Sequence, residues 1–201
     1  MKANLFPLSK LILSPGGKLT LNIFEPRYLA LLEDCLENDI PMALGHACST
    51  PLEGGVSIPH ETYCEVFCEV GFGTPQVLTT TPQGSQVVVV NGEGKGKLCD
   101  LTEDERGFLK AELKEVSYQD QLESEQTFLY RRLKSITKEQ VSELLKNDRE
   151  AEILMSNLNT PNELVAFYSD HLMKSFDHKL SVFKQNDINE KIQLIGQYLV
   201  A

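Results

Sequence analysis

The sequence predicts an α+β chain: a β-rich first part carrying one embedded helix, then a bundle of helices. Three observations carry this. Up to about Ser117, glycine, proline and β-branched residues punctuate short apolar runs. Within that part, Leu19, Leu21 and Ile23 alternate with Lys18, Thr20 and Asn22, the two-residue period of a strand with one apolar face. After about Glu123, apolar residues recur at helical spacing behind capping signals. The chain of 201 residues, 41% of them hydrophobic, has enough apolar material for a real core. Two domains follow from the change in pattern, 1–120 and 121–201.

Strands are expected at Leu5–Leu8, Lys18–Ile23, Met42–His46, Cys64–Val70, Gln76–Thr81 and Gln86–Val90. The unbroken run Val87-Val88-Val89-Val90 predicts burial on both faces. Pro82-Gln83-Gly84 reads as the turn of a hairpin, and Thr50–Pro59, with two prolines and Gly54-Gly55, as a surface loop. Pro26 suits the first position of a helix, where its missing N–H costs nothing. Tyr28, Leu29, Leu32, Cys35 and Leu36 then line one side of a helix to Glu37. Leu109, Ala111 and Leu113 alternate with Lys110, Glu112 and Lys114, so Phe108–Val116 is taken as a strand despite its good helix formers. The glycines of Gly92-Glu93-Gly94-Lys95-Gly96 are expected to bend the chain between strands.

In the second part, Phe128, Leu129 and Leu133 are placed on one helix face. Thr137 with Gln140 reads as a capping box ahead of Val141, Leu144 and Leu145, and Ile153, Leu154 and Leu158 mark a further helix. Thr160-Pro161-Asn162-Glu163 combines an N-cap, a first-position proline and a capping-box glutamate. Asp187 and Glu190 repeat that logic before Ile188, Ile192, Ile195 and Leu199.

Three ordered pieces in the first part carry a resemblance. They are Leu5-Phe6-Pro7-Leu8, the turn Pro15-Gly16-Gly17, and Ile23-Phe24-Glu25-Pro26-Arg27-Tyr28 running from strand into helix. Together they resemble the opening of the Lon N-terminal domain family, in its small standalone form. Val70-Gly71-Phe72-Gly73-Thr74 is similar to the family's glycine-threonine strand entry, and Gly94-Lys95-Gly96-Lys97-Leu98 stands where the family has a glycine, a basic or aromatic residue and a strand. The resemblance covers roughly residues 4–117, and the helical remainder more loosely. It implies a PUA-like twisted β pseudo-barrel, mostly antiparallel, followed by a helical tail. It singles out Pro15, Gly16, Gly17, Phe24, Glu25, Pro26, Arg27, Tyr28, Gly73 and Thr74 as signature residues. The ATP-dependent proteases carry a valine-glycine-arginine type sequence at the Phe24–Tyr28 joint, so the departure here favours a standalone protein.

Charge and composition exclude several classes. The net charge of −10 is shared evenly: residues 1–100 hold 6 basic and 11 acidic side chains and residues 101–201 hold 13 and 18, so each half is −5. Neither half has the basic excess that neutralising phosphates requires, so nucleic acid is not an expected partner. No apolar run approaches 18 residues, so no membrane partner is expected either. Five cysteines (Cys35, Cys48, Cys64, Cys68, Cys99) without a secretory signal point to reduced thiols and a cytoplasmic setting.

No reactive constellation is assembled by spacing. Gly96-Lys97 fails the phosphate-loop pattern because Asn91 stands at the first glycine and Leu98 follows the lysine; Gly94-Lys95 fails with Val89. The alternative reading of Lys95 and Lys97 is contact with an anion. No serine elbow and no H-E-x-x-H occur. Cys64 and Cys68, four residues apart on a strand, would lie about 13 Å apart, beyond the reach of one zinc ion, and are read as buried small side chains. His46, His60, His171 and His178 are read as structural or solvated. Glu25 and Arg27 have two readings: contact with a bound peptide, or a structural pair with Phe24 and Tyr28 packed under the helix. No catalytic residue, metal or cofactor is expected. The resemblance implies a non-catalytic domain that binds polypeptide, in these proteases a substrate protein. The alternatives are an adaptor for one dedicated folded partner and, less favoured, a small-molecule enzyme.

Overall fold

Eight strands and one helix build the first part of the chain: β1 (Lys2–Leu8), β2 (Lys18–Ile23), α1 (Pro26–Asn38), β3 (Met42–Cys48), β4 (Gly55–Ser57), β5 (Glu65–Phe67), β6 (Glu69–Thr80), β7 (Gln86–Glu103) and β8 (Leu109–Glu115). The computed structural model describes residues 1–199. The chain divides into two compact units, Met1–Val116 and Ser117–Ala201. The fold is α+β.

In the first unit the pairings close on themselves. β1 pairs β8, β8 pairs β7, β7 pairs β6 and β6 pairs β3, all antiparallel, and β3 returns to β1 in parallel. β2 lies outside this ring along the first half of β7, and β4–β5 extends it beyond β3. Helix α1 covers one core of Phe6, Leu31, Leu32, Met42, Leu44, Val88 and Val90. A second core gathers Leu5, Ala43, Val66, Val70, Leu98, Leu109 and Leu113. Pro26 opens α1 as expected, and Asp39 ends it in the left-handed region at φ 52°. Its buried stripe is Tyr28, Leu31, Leu32 and Cys35, with Leu31 in the place expected for Leu36, which is exposed.

Several expectations are corrected here. Of the valine run, Val88 and Val90 are buried while Val87 and Val89 are half-buried, because one face of β7 meets α1 and the other meets no layer of its own. Gly92, Gly94 and Gly96 do not separate two strands but lie inside β7, where a Cβ on Gly94 would stand 2.7 Å from the Phe72 ring. β4 occupies part of the expected surface loop. The expected strand Cys64–Val70 is broken at Cys68, with Cys64 exposed and Cys68 half-buried.

The second unit holds α2 (Thr127–Leu145), α3 (Asp148–Ser156), α4 (Pro161–Phe167), α5 (Phe176–Lys184) and α6 (Ile188–Tyr198), with a π-turn at Tyr168–Leu172. Leu133, Met155, Leu164, Val165, Ile188, Ile192 and Ile195 form its core. The capping box at Thr160 is realised, with Glu163 N donating to Thr160 Oγ1 at 3.2 Å and Thr160 N to Glu163 Oε2 at 2.9 Å. Thr137 caps nothing. It sits inside α2, fully buried, and its hydroxyl donates to the Leu133 carbonyl at 2.8 Å, the back-bond open to a threonine inside a helix. Phe128 and Leu144 are 73% and 70% exposed, off the apolar face assigned to them.

Candidate functional site

The signature residues fall into two groups at opposite ends of β2. The first is a joint of backbone on backbone. Gly16 takes φ 80°, which only glycine adopts without strain, and turns the chain so that its N–H donates to Gly92 O at 2.8 Å. Gly92 N returns the bond to Gly17 O at 2.8 Å, and Gly17 N donates to Ser14 O. Gly73 faces the same region: a Cβ there would lie 1.7 Å from the Asn91 carbonyl oxygen. The β6–β7 register slips here, with Phe72 opposite Gly94 and Gly73 opposite Gly92. The bulged residue, Glu93, accepts from Thr74 N at 3.0 Å. Gly16 and Gly17 thus hold the turn to β7, and Gly73 and Thr74 meet the same stretch of β7 from β6.

The second group is the strand-to-helix joint. Tyr28 is buried, its ring 4.2 Å from that of Phe6, and its hydroxyl lies 2.9 Å from His60 Nε2. His60 Nδ1 accepts from the backbone N–H groups of Thr62 and Tyr63, so Nε2 carries the proton and donates to Tyr28. Burial pushes the Tyr28 hydroxyl up to about 12 and pulls His60 below the usual histidine range, with the Arg27 cation adding to the latter. Glu25 and Arg27 pair at 2.9 Å, and Arg27 lies over the Tyr28 ring at 4.8 Å. Phe24 differs from its neighbours. It does not pack under the helix but is 66% exposed. The strand ends at Ile23 against Gln86, and Gln86 with Pro26, Leu29, Leu36 and Glu33 lines a groove of about 590 Å³ along α1.

The feature that motif and spacing do not mark lies between these groups. From Val70 to Gly92 the chain has no Asp, Glu, Lys, Arg or His. This stretch forms the β6–β7 hairpin. Beyond the pairing with β3 at Gly71–Gly73, the residues Pro75–Thr80 of β6 pair with β7 alone among the described pairings. Every residue from Gln76 to Thr80 is exposed. A strand edge in that state presents unpaired N–H and C=O groups, the template onto which an extended chain can add. Leu78, at a second register slip, is 60% exposed. On the outer face, register aligns Thr20, Val89 and Gln76 in one row and Asn22, Val87 and Thr79 in the next. These two rows are uncharged and centred on two half-buried valines, with Lys18 on the same face one row further along β2. A run without ionisable residues in a chain that is 24% charged was the available signal.

Other sequence candidates disperse. Lys95 is buried and paired with Glu69 at 3.3 Å, so it offers nothing to an anion in solvent. Cys48 Sγ lies 3.4 Å from His46 Nε2, and Cys64 is exposed, so the cysteines do not share one environment. Among the described residues, no group of three or more His, Cys, Asp or Glu side chains is placed to hold a metal ion, and no helix is long and apolar enough to cross a membrane.

Comparison with known proteins places this architecture. The model of the ATP-dependent protease La (LON) substrate-binding domain matches residues 2–201. The chain belongs to the Lon substrate-binding domain family. The match runs through the helical unit as well as the β-rich one, further than the resemblance at the N-terminal motifs reached. Among solved structures, a Lon N-terminal domain protein from Xanthomonas campestris is similar at 18% identity, with 98% of each chain covered and a TM-score of 0.66. The N-terminal domain of the Mycobacterium avium complex Lon protease is similar at 14% identity, covering 98% of this chain and 97% of that one, with a TM-score of 0.71. These likenesses establish a shared fold. A search of curated proteins found no match.

Proposed function

We propose that this Lon substrate-binding domain is a non-catalytic receptor for extended or unfolded polypeptide, which adds to the free edge of β6. The division of labour assigns capture to the β-rich part (1–120), with the helical part (121–201) supporting or extending it. The observation that carries the reading is the open, uncharged edge Gln76–Thr80, together with the exposed Leu78 and the outer valine face. Main-chain hydrogen bonding to such an edge is indifferent to side-chain identity, which suits a receptor for many sequences. Exposed Phe24 and the α1 groove offer apolar contact at the end of the same strands.

The experiment uses reduced, carboxymethylated α-lactalbumin as a permanently unfolded probe, labelled for fluorescence anisotropy. The full chain binds it, and native α-lactalbumin does not compete. Lysines placed on the free edge, Leu78→Lys with Thr79→Lys, abolish binding while leaving the melting transition in place. Retention of binding in that double variant refutes the edge as the site, and equal competition by the native protein refutes the preference for unfolded chains.

A further inference from the structure

The helical unit contains a second groove, of about 780 Å³, between α2 and α6. Its floor is Leu129, Leu133, Ile192 and Leu199. Gly196 widens it, since a Cβ there would meet nothing within 4 Å. Two polar features on its lining do not belong to a sealed core. Gln126, only 9% exposed, has an amide oxygen that is buried and accepts no hydrogen bond. Six positions along, Arg132 stands on the exposed wall with no carboxylate within ion-pair distance among the described residues, although Glu125 lines the same groove. A buried carbonyl without a donor is costly to leave unpaired, and a ligand N–H would remove that cost.

We propose that this groove captures the carboxyl terminus of another polypeptide ending in apolar residues. The reading extends the polypeptide-binding function to a second site, with its own chemistry. The terminal carboxylate pairs with Arg132, whose planar fork matches it. The last side chains fill the floor of Leu129, Leu133, Ile192 and Leu199. The backbone N–H groups upstream of a carboxylate held at Arg132 then lie in the groove that the unpartnered Gln126 oxygen also lines. A groove of this volume accommodates two or three such side chains.

The test uses a fluorescein-labelled pentapeptide, glycine-serine-alanine-leucine-leucine, as the free acid and as the C-terminal amide, against the full chain. The free acid binds, the amide binds at least tenfold more weakly, and Arg132→Gln removes the difference between them. Arg132 is exposed, so its replacement leaves the fold in place. Gln126→Leu weakens both peptides, and the edge variants Leu78→Lys and Thr79→Lys leave acid binding unchanged. This separates the groove from the β6 edge: either can fail while the other stands. Equal binding of acid and amide, no binding of either, or an unaffected Arg132→Gln protein overturns the proposal. So does displacement of the peptide by dodecanoate at a lower concentration than by unlabelled peptide, which would make the groove a fatty-acid site.

Discussion

Truncating Leu78 to alanine separates binding from stability. The side chain is 60% exposed in the free protein and sits at a register slip, outside the cores of the β-rich unit. Burying a whole leucine side chain is worth about 1.5–3 kcal/mol. Covering the exposed 60% on docking is thus worth about 1–2 kcal/mol, a factor of about 5–30 in Kd. Removing a side chain that touches little in the free protein shifts folding stability by no more than about 0.5 kcal/mol. Leu78→Ala should weaken the unfolded α-lactalbumin probe by that factor, read by anisotropy, with an unchanged urea midpoint. Because residues 70–92 carry no charge, the wild-type Kd should hardly move between about 50 and 500 mM NaCl. An unchanged Kd in the variant, a matching loss of stability, or steep weakening with salt would each refute the reasoning.

Four further outcomes test how the scaffold is held. Asp34, 5% exposed, accepts from Asn4 at 2.9 Å, Asn38 at 3.2 Å and Arg106 at 2.7 Å, so Asp34→Ala leaves the buried Asn4 amide only its long contacts to Leu31 O and Cys35 Sγ, both at 3.5 Å, and should cost about 1–3 kcal/mol in urea unfolding. Gly73→Ala drives a methyl into the Asn91 carbonyl and should destabilise by about 3 kcal/mol or prevent folding, whereas Gly196→Ala, in open space within α6, should stabilise by about 0.5–1 kcal/mol. Burial holds His46, His60 and His171 below their ordinary value of 6.5, so the unfolded chain takes up protons first. Stability present above pH 6.5 should therefore fall as the pH drops through that value, and His60→Gln should flatten part of the slope in melts taken from pH 7.5 to 5. Asp170 has the opposite sign: burial pushes its carboxyl up to about 7 and one oxygen lacks a partner, so its ionisation costs stability progressively from about pH 4 to 7. Asp170→Asn should raise the melting temperature at pH 8 and lose that advantage near pH 4.

How much of this was legible in the sequence depends on whether the deciding force was local. Pro26, the box Thr160/Glu163 and the alternation of β2 act within a few residues, and each stands where the sequence put it. Thr137 misled because a capping signature is only a pattern of side chains. Whether the helix starts there depends on the preceding turn, which packs Leu133 into the core and carries α2 straight through. The valine run misled because its outer face lacks the second layer that burial on both faces assumes. Phe24 misled because its neighbours Ile23 and Tyr28 are both buried, and the bend between strand and helix turns it outward. The glycines of β6 and β7 could be seen, but not that Gly73 faces Asn91 eighteen residues on, which is a matter of register.

The same reasoning explains why the uncharged arm is the strongest candidate for function. A bare edge strand is a hazard that folded proteins suppress with charge, and this chain has charge to spend, at 24% of its residues. It places none on Val70–Gly92. Its protection is confined to the ends, where Pro75 and Pro82 bracket the edge and deny ladder donors beyond it. Nothing in the packing of the β-rich unit needs Leu78 or an uncharged Gln76–Thr80, since both its cores are complete without them. Val70, Phe72, Val88 and Val90 serve those cores, but stability gives no reason for the composition of Gln76–Thr80. A chain that must be added to the edge and released again does give one, because a charged edge would repel part of its range of ligands.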